Sequence, residues 1–153
     1  MGFLELKIPP PVVAGLVGGL MWVLSVLAPG WRIPLALGRA GAVIFMVLGL
    51  GVAGAGIAAF VRSRTTIDPH HPEHSSKLVT TGIYARTRNP MYLGLTSILI
   101  AWSFVLGSPP TLLFVPVFMG FIRRFQITPE ERQLRTLFGE RFETYARRVP
   151  RWL

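Results

Sequence analysis

The chain has 153 residues, is 51% hydrophobic, has no cysteine and carries a formal charge of +9. So apolar a composition excludes an ordinary soluble domain, and the length leaves room for a single domain. The absence of cysteine excludes disulfides, thiolate metal sites and cysteine nucleophiles.

Four apolar runs are long enough to be read as membrane spans, since ~20 apolar residues cross a ~30 Å hydrocarbon core. The first covers residues 12–28 and follows three prolines, Pro9 to Pro11. Lys7 ahead of it gives the look of a secretory leader, but no small-x-small cleavage site is evident, so a retained helix is expected. GLVGG, Gly15 to Gly19, predicts close helix–helix approach. The second run covers residues 40–61 and contains GLGVAG, Gly49 to Gly54. That segment fits G-x-G-x-x-G, but a dinucleotide site needs a strand before it and a helix after it. Inside an apolar helix, small residues at this spacing predict helix packing instead.

A polar, basic loop follows. It includes HHPEH, His70 to His74, where Pro72 prevents a helix from aligning the imidazoles. A solvated loop is expected there, and no metal site is assigned. The third run covers residues 91–107. The fourth, residues 111–127, reaches Arg123 and Arg124 within about a dozen positions, so it tilts little, thins the bilayer or lets its arginines snorkel. The tail, residues 129–149, places Leu134, Leu137, Phe138, Phe142, Tyr145 and Val149 at three- and four-residue steps. This is an amphipathic helix at the interface, bent or broken at Gly139 and ended by Pro150.

The basic residues decide the expected orientation. The segment 62–88 holds five Lys/Arg and the tail from Arg123 holds eight, whereas the segment joining spans three and four holds none. By the positive-inside rule both termini and the middle loop face the cytoplasm, where the excess charge suits anionic headgroups. Aromatic residues do not interleave with the basic ones, so no nucleic-acid role is expected. No span has an ionisable residue near its middle, which disfavours an ion pathway or a small transporter. The predicted fold class is therefore an all-α integral membrane protein with about four transmembrane helices and a cytoplasmic or interfacial C-terminal helix.

Two segments carry more polar chemistry than spans require. RNPMYLG, Arg88 to Gly94, opens span three. Asn89 suits an N-cap and Pro90 the first helical position. Capping does not need Arg88, Tyr92 or Gly94, and a helix N-terminus beside an arginine is a ready anion site. Thr128-Pro129-Glu130-Glu131 reads as a capping box, and Glu131 with Arg135 as an i,i+4 pair. Glu130 has no equally specific structural duty.

Taken together, KLVTTGIYARTRNPMYLG and EERQLRTLFGERFETYARRVPRW resemble the isoprenylcysteine carboxyl methyltransferase and phospholipid methyltransferase superfamily of integral membrane enzymes. The matching positions are Gly82, Tyr84, Arg88, Pro90, Tyr92 and Gly94, then Glu130, Glu131, Leu134, Phe138, Gly139, Tyr145, Val149 and Pro150. Phe142 stands where tyrosine is common, and Asn89 where the eukaryotic prenylcysteine enzymes have histidine, so an imidazole proton is not available at that position.

The resemblance implies S-adenosylmethionine as cofactor, S-adenosylhomocysteine as product, and a pocket built from residues 77–94 and the tail helix. Expected cofactor-binding residues are Leu78, Val79, Gly82, Tyr84, Arg88, Asn89, Pro90, Tyr92, Gly94, Glu130 and Glu131, with Ile83 near the adenine. Arg88 and Tyr92 suit the cofactor carboxylate, and Glu130 and Glu131 its ammonium and ribose. Expected catalytic residues are Glu131 as helper for an amine acceptor, Arg135 to orient an acceptor carboxylate, and Arg88. The acceptor is a lipophilic small molecule, lipid or lipidated substrate arriving from the bilayer. The alternative reading is a non-catalytic membrane scaffold or assembly protein with a degenerate cofactor site. Sterol double-bond reductases of the same superfamily have additional spans.

Overall fold

The computed structural model describes residues 5–30, 32–63 and 77–153, and HHPEH lies outside the described residues. Among them there are helices and no strands, as the apolar runs predict. Helix α1 is Pro10–Leu27 and α2 is Leu35–Ser63. A single 3-10 turn, Gly82–Ala85, precedes α3, Pro90–Leu106. A second 3-10 turn, Pro109–Leu113, leads into α4, Phe114–Ile122. Helices α5, Thr128–Phe138, and α6, Glu140–Arg148, follow.

Three helical stretches are long and apolar enough to cross a membrane: Pro10–Leu27, Leu35–Ser63 and Pro109–Phe138. The third expected span, α3, has 17 residues. At 1.5 Å per residue it reaches about 26 Å, the short end of what spans a bilayer.

α3 is the centre of the bundle. Tyr92 and Leu99 on it pack with Val13, Val17 and Met21 of α1, at i,i+4 steps, and with Val115, Phe118 and Ile122 of α4. The opposite face of α1, including Leu16, Leu20 and Val23, is exposed and suits acyl chains. α2 touches the rest differently. Its buried residues are all glycines: Gly38, Gly41, Gly49 and Gly56. A Cβ built on Gly49 would lie 2.8 Å from the Gly94 carbonyl, and one built on Gly94 would lie 2.7 Å from the Gly49 carbonyl. The two backbones touch because neither position has a side chain. Thus the G-x-G-x-x-G segment packs helices, as expected. GLVGG does not: nothing lies within 4 Å of a Cβ on Gly15 or Gly19, and Gly18 meets only the Trp102 ring and the tip of Leu99 at about 4 Å. Trp102 Nε1 does donate to the Gly18 carbonyl at 3.0 Å, tying α1 to α3.

The fourth span departs from expectation at its end. Residues Arg123–Ile127 form a π-helical turn that joins α4 to α5 without a break. Ile127 has helical dihedrals, and Thr128 Oγ1 donates to the Arg123 carbonyl at 2.8 Å. Thr128 therefore does not cap a helix start, and Glu131 is not part of a capping box. The physical reason is Pro129, which lacks an N–H and crowds the carbonyl one turn back. A widened turn just before it absorbs both effects. The apolar part of the joined helix ends near Ile122, and the charged α5 continues past it.

Gly139, at φ 50° and ψ −127°, breaks the tail into α5 and α6, a conformation that favours glycine. α6 then folds back so that Phe142, Tyr145 and Val149 bury against Leu134, Phe138 and Leu78. Beyond α6 the chain returns to the start of α3. The Arg88 N–H donates to the Pro150 carbonyl at 3.0 Å, and Thr87 Oγ1 to the Arg151 carbonyl at 3.1 Å.

Candidate functional site

A cavity of about 390 Å³ lies where the loop before α3, the first turns of α3, and the tail helices meet. Ala53, Ile57 and Phe60 of α2 and Pro10 and Pro11 of α1 supply apolar wall. Arg88, Tyr92, Glu130 and Glu131 converge on it as polar groups. An apolar slot with a few convergent polar residues is the usual form of a small-molecule site.

Two pairs organise the polar wall. Tyr92 O–H donates to Glu130 Oε1. Glu131 accepts from Arg151 twice, Nε to Oε1 at 2.9 Å and Nη2 to Oε2 at 2.7 Å, the fork geometry that favours arginine over lysine. Arg88 Nη1 stands 3.1 Å from Glu131 Oε1, and Arg135 Nη2 stands 3.8 Å from Oε2. The Arg88–Glu131 contact is an ion pair without hydrogen-bond alignment. Arg88 Nε and Nη1 are buried with no acceptor among the described residues.

The two glutamates have opposite electrostatics. Glu130 is pushed from 4.5 up to about 7, first by burial and then by the charge of Glu131, with the Tyr92 hydrogen bond opposing. Its side chain retains some accessible surface, but that surface faces the cavity. Burial also works against the charge of Glu131, yet the Arg151 hydrogen bonds and the charges of Arg88, Arg151 and Arg135 outweigh it. They hold Glu131 below the usual carboxylate range. Burial pulls the Arg88 guanidinium down, with Glu131 opposing. Burial raises Tyr84 and Tyr145, and Tyr145 O–H donates to the Tyr84 carbonyl at 2.8 Å, pinning α6 to the loop.

Of the residues expected at the site, Leu78, Val79, Tyr84, Arg88, Asn89, Pro90, Tyr92, Glu130 and Glu131 line the cavity. Gly82, Ile83, Gly94 and Arg135 do not line it. Gly82 has φ +63° and starts the 3-10 turn, and Gly94 is spent on the contact with α2. Arg135 turns to Glu143, Nε to Oε1 at 2.7 Å, with its guanidinium 5.6 Å from the Phe142 ring centroid. Asn89 occupies the N-cap position without a capping hydrogen bond, and its Nδ2 donates instead to the Arg151 carbonyl at 2.9 Å.

Arg151 was missed. It lies beyond the end of α6, where helix periodicity gives no direction to a side chain. The one available signal was that an arginine follows Val149-Pro150 immediately, in a tail that must go somewhere once Pro150 ends the helix.

A family model described as phospholipid methyltransferase matches residues 37–141. A protein-S-isoprenylcysteine O-methyltransferase of Schizosaccharomyces pombe is 40% identical over 74 residues, 48% of this chain and 31% of that protein. A probable protein-S-isoprenylcysteine O-methyltransferase of Oryza sativa subsp. indica is 30% identical over 107 residues, 69% of this chain and 56% of that protein. An uncharacterized protein of Haemophilus influenzae is 43% identical over 63 residues, 41% of this chain and all of that protein. The chain thus spans less than two thirds of the length of the methyltransferases it matches. No solved structure matches it.

Proposed function

The chain belongs to the phospholipid methyltransferase family, and from that premise we propose that it transfers the methyl group of S-adenosylmethionine to a lipophilic acceptor. The observation that carries the proposal is that Arg88 and Glu130 line one cavity. Arg88 has buried donors without acceptors, which suit the carboxylate of the methionine end. Glu130 faces the same space and suits its ammonium or sulfonium. The apolar wall of Leu78, Val79 and Phe142 suits adenine.

When bound, the cofactor supplies an electrophilic methyl group on sulfur. The residues of this chain hold and orient it. Glu131 fixes Arg88 and Arg151, so the Arg88 guanidinium meets an anion in a set orientation. Tyr92 fixes Glu130. Phe142 and Tyr145 of the folded-back α6 add to the apolar wall of the cavity.

A carboxylate acceptor, such as that of an isoprenylcysteine-like compound, needs no base. A lipid amine must lose a proton, and Glu130, near 7, is matched to take it at neutral pH. Glu131, held ionised by arginines, is the weaker base of the two. The acceptor reaches the cavity from the bilayer between α1 and α2, where Pro11, Ile57 and Leu95 form the wall. The excess of Lys and Arg in the loop and tail supports a cytoplasmic orientation of the site and both termini.

The test is to incubate the purified chain with methyl-labelled S-adenosylmethionine and a total membrane lipid extract. Labelled lipid is expected. Base-labile label identifies a carboxyl ester, and base-stable label a methylated amine. Absence of both transfer and saturable cofactor binding would support the scaffold reading instead.

A further inference from the structure

A second cavity, of about 860 Å³, lies against α6 and shares Lys77, Leu78 and Tyr145 with the candidate site. Three cations line it: Lys77 from the loop, and Arg141 and Arg148, two turns apart on α6. Among the described residues none of the three makes an ion pair, and no carboxylate lines the cavity. This sets them apart from Arg88, Arg135 and Arg151, which form ion pairs with Glu131 or Glu143. Thr80 and Thr144 add hydroxyl donors, and Phe138 and Val149 supply an apolar floor. Three like charges in one hollow repel one another unless an anion joins them.

We propose that this cavity binds the phosphate of an anionic phospholipid, with the apolar floor against its glycerol and upper acyl carbons. Charge complementarity selects the occupant. S-adenosylmethionine carries two cationic centres and one carboxylate, and is repelled. A zwitterionic lipid brings its own ammonium to the same cations. Position agrees as well. The cavity stands at the end of the bundle where α2 finishes at Ser63 and α3 begins at Pro90, the level at which headgroups lie. The proposal goes beyond methyl transfer and does not require it.

The test uses the purified full chain in neutral detergent without S-adenosylmethionine, with bound lipid counted by native mass spectrometry. Phosphatidylglycerol is expected to bind as one retained copy at concentrations where phosphatidylcholine does not. The R141Q/R148Q double variant is expected to weaken that binding about tenfold, and Lys77→Gln, which alters no helix, about threefold. The charge-matched pair R123Q/R147Q, outside the cavity, is expected to change it less than twofold. Equal loss in both double variants would show diffuse surface attraction and overturn the site. An unchanged affinity in Lys77→Gln would overturn it even if R141Q/R148Q failed to fold. Displacement of the lipid by 10 mM inorganic phosphate would identify free phosphate as the ligand and overturn the lipid assignment.

Discussion

Glu130 and Glu131 are neighbours on one helix turn, yet they belong to two different regions. Glu130 looks into the apolar cavity with one hydroxyl partner, Tyr92. Glu131 looks into a knot of arginines that ties the start of α3 to the chain beyond α6. The first is kept close to neutrality and the second is kept ionised. The contrast teaches that the double-acid motif divides its labour. Glu131 ties the tail to the start of α3, and Glu130 faces the cavity with Tyr92 as its partner.

Breaking the knot has the largest expected effect. Glu131→Gln leaves Arg88 and Arg151 facing each other without a counter-charge. Removing one partner of a buried ionic group costs about 3–5 kcal/mol. Thermal unfolding in detergent should show a clearly lowered midpoint together with loss of cofactor binding. A midpoint equal to that of the parent would mean that the tail is held by something else.

The Glu130 side gives a smaller and pH-dependent effect. Its folded value, about 7, lies above the ordinary 4.5. Its contribution to stability is therefore whole below pH 4.5 and lost as pH rises through 7. Glu131 has the opposite sign: its folded value is lowered, so its contribution is present above 4.5 and lost as pH falls through the lower value. Relative to the parent, Glu130→Gln should gain stability between pH 4.5 and 7, by roughly 2 kcal/mol once water in the cavity is allowed for. Chemical denaturation across that window measures the gain. A flat difference would remove the electrostatic contrast.

Arg151→Ala sharpens the comparison at the smallest cost. It removes the fork on Glu131, but the Arg151 carbonyl still accepts from Thr87 and Asn89. With the side chain partly exposed, about 1–2 kcal/mol is expected. The variant should also raise the titration of Glu131, read as an acid transition beginning at higher pH.

Much of this arrangement was legible in the sequence. Apolar runs marked the spans, and Pro10 and Pro90 stand in the opening turns of α1 and α3. Gly139 marked the break in the tail. The motif positions Tyr84, Arg88, Tyr92, Glu130 and Glu131 do meet at one cavity. The rest depended on tertiary packing. T-P-E-E has the grammar of a helix start, and only the wide turn before Pro129 makes it a helix interior. Asn89 has the grammar of a cap, but the returning tail offers its amide a better acceptor. GLVGG and GLGVAG look equally suited to close approach, and only the second faces a glycine on another helix. Pairings such as Glu131 with Arg151 join segments whose relative position no local pattern records.

The proposed function requires Glu130 and Arg88 to receive the methionine end of S-adenosylmethionine. Calorimetric titration of the cofactor into the purified chain, at pH 6 and pH 7.5, tests this directly. The parent is predicted to bind one equivalent, severalfold more tightly at pH 7.5, as Glu130 ionises opposite a cation, and Glu130→Gln is predicted to lose that pH dependence. Absence of saturable binding, or the same pH dependence in Glu130→Gln, would contradict it.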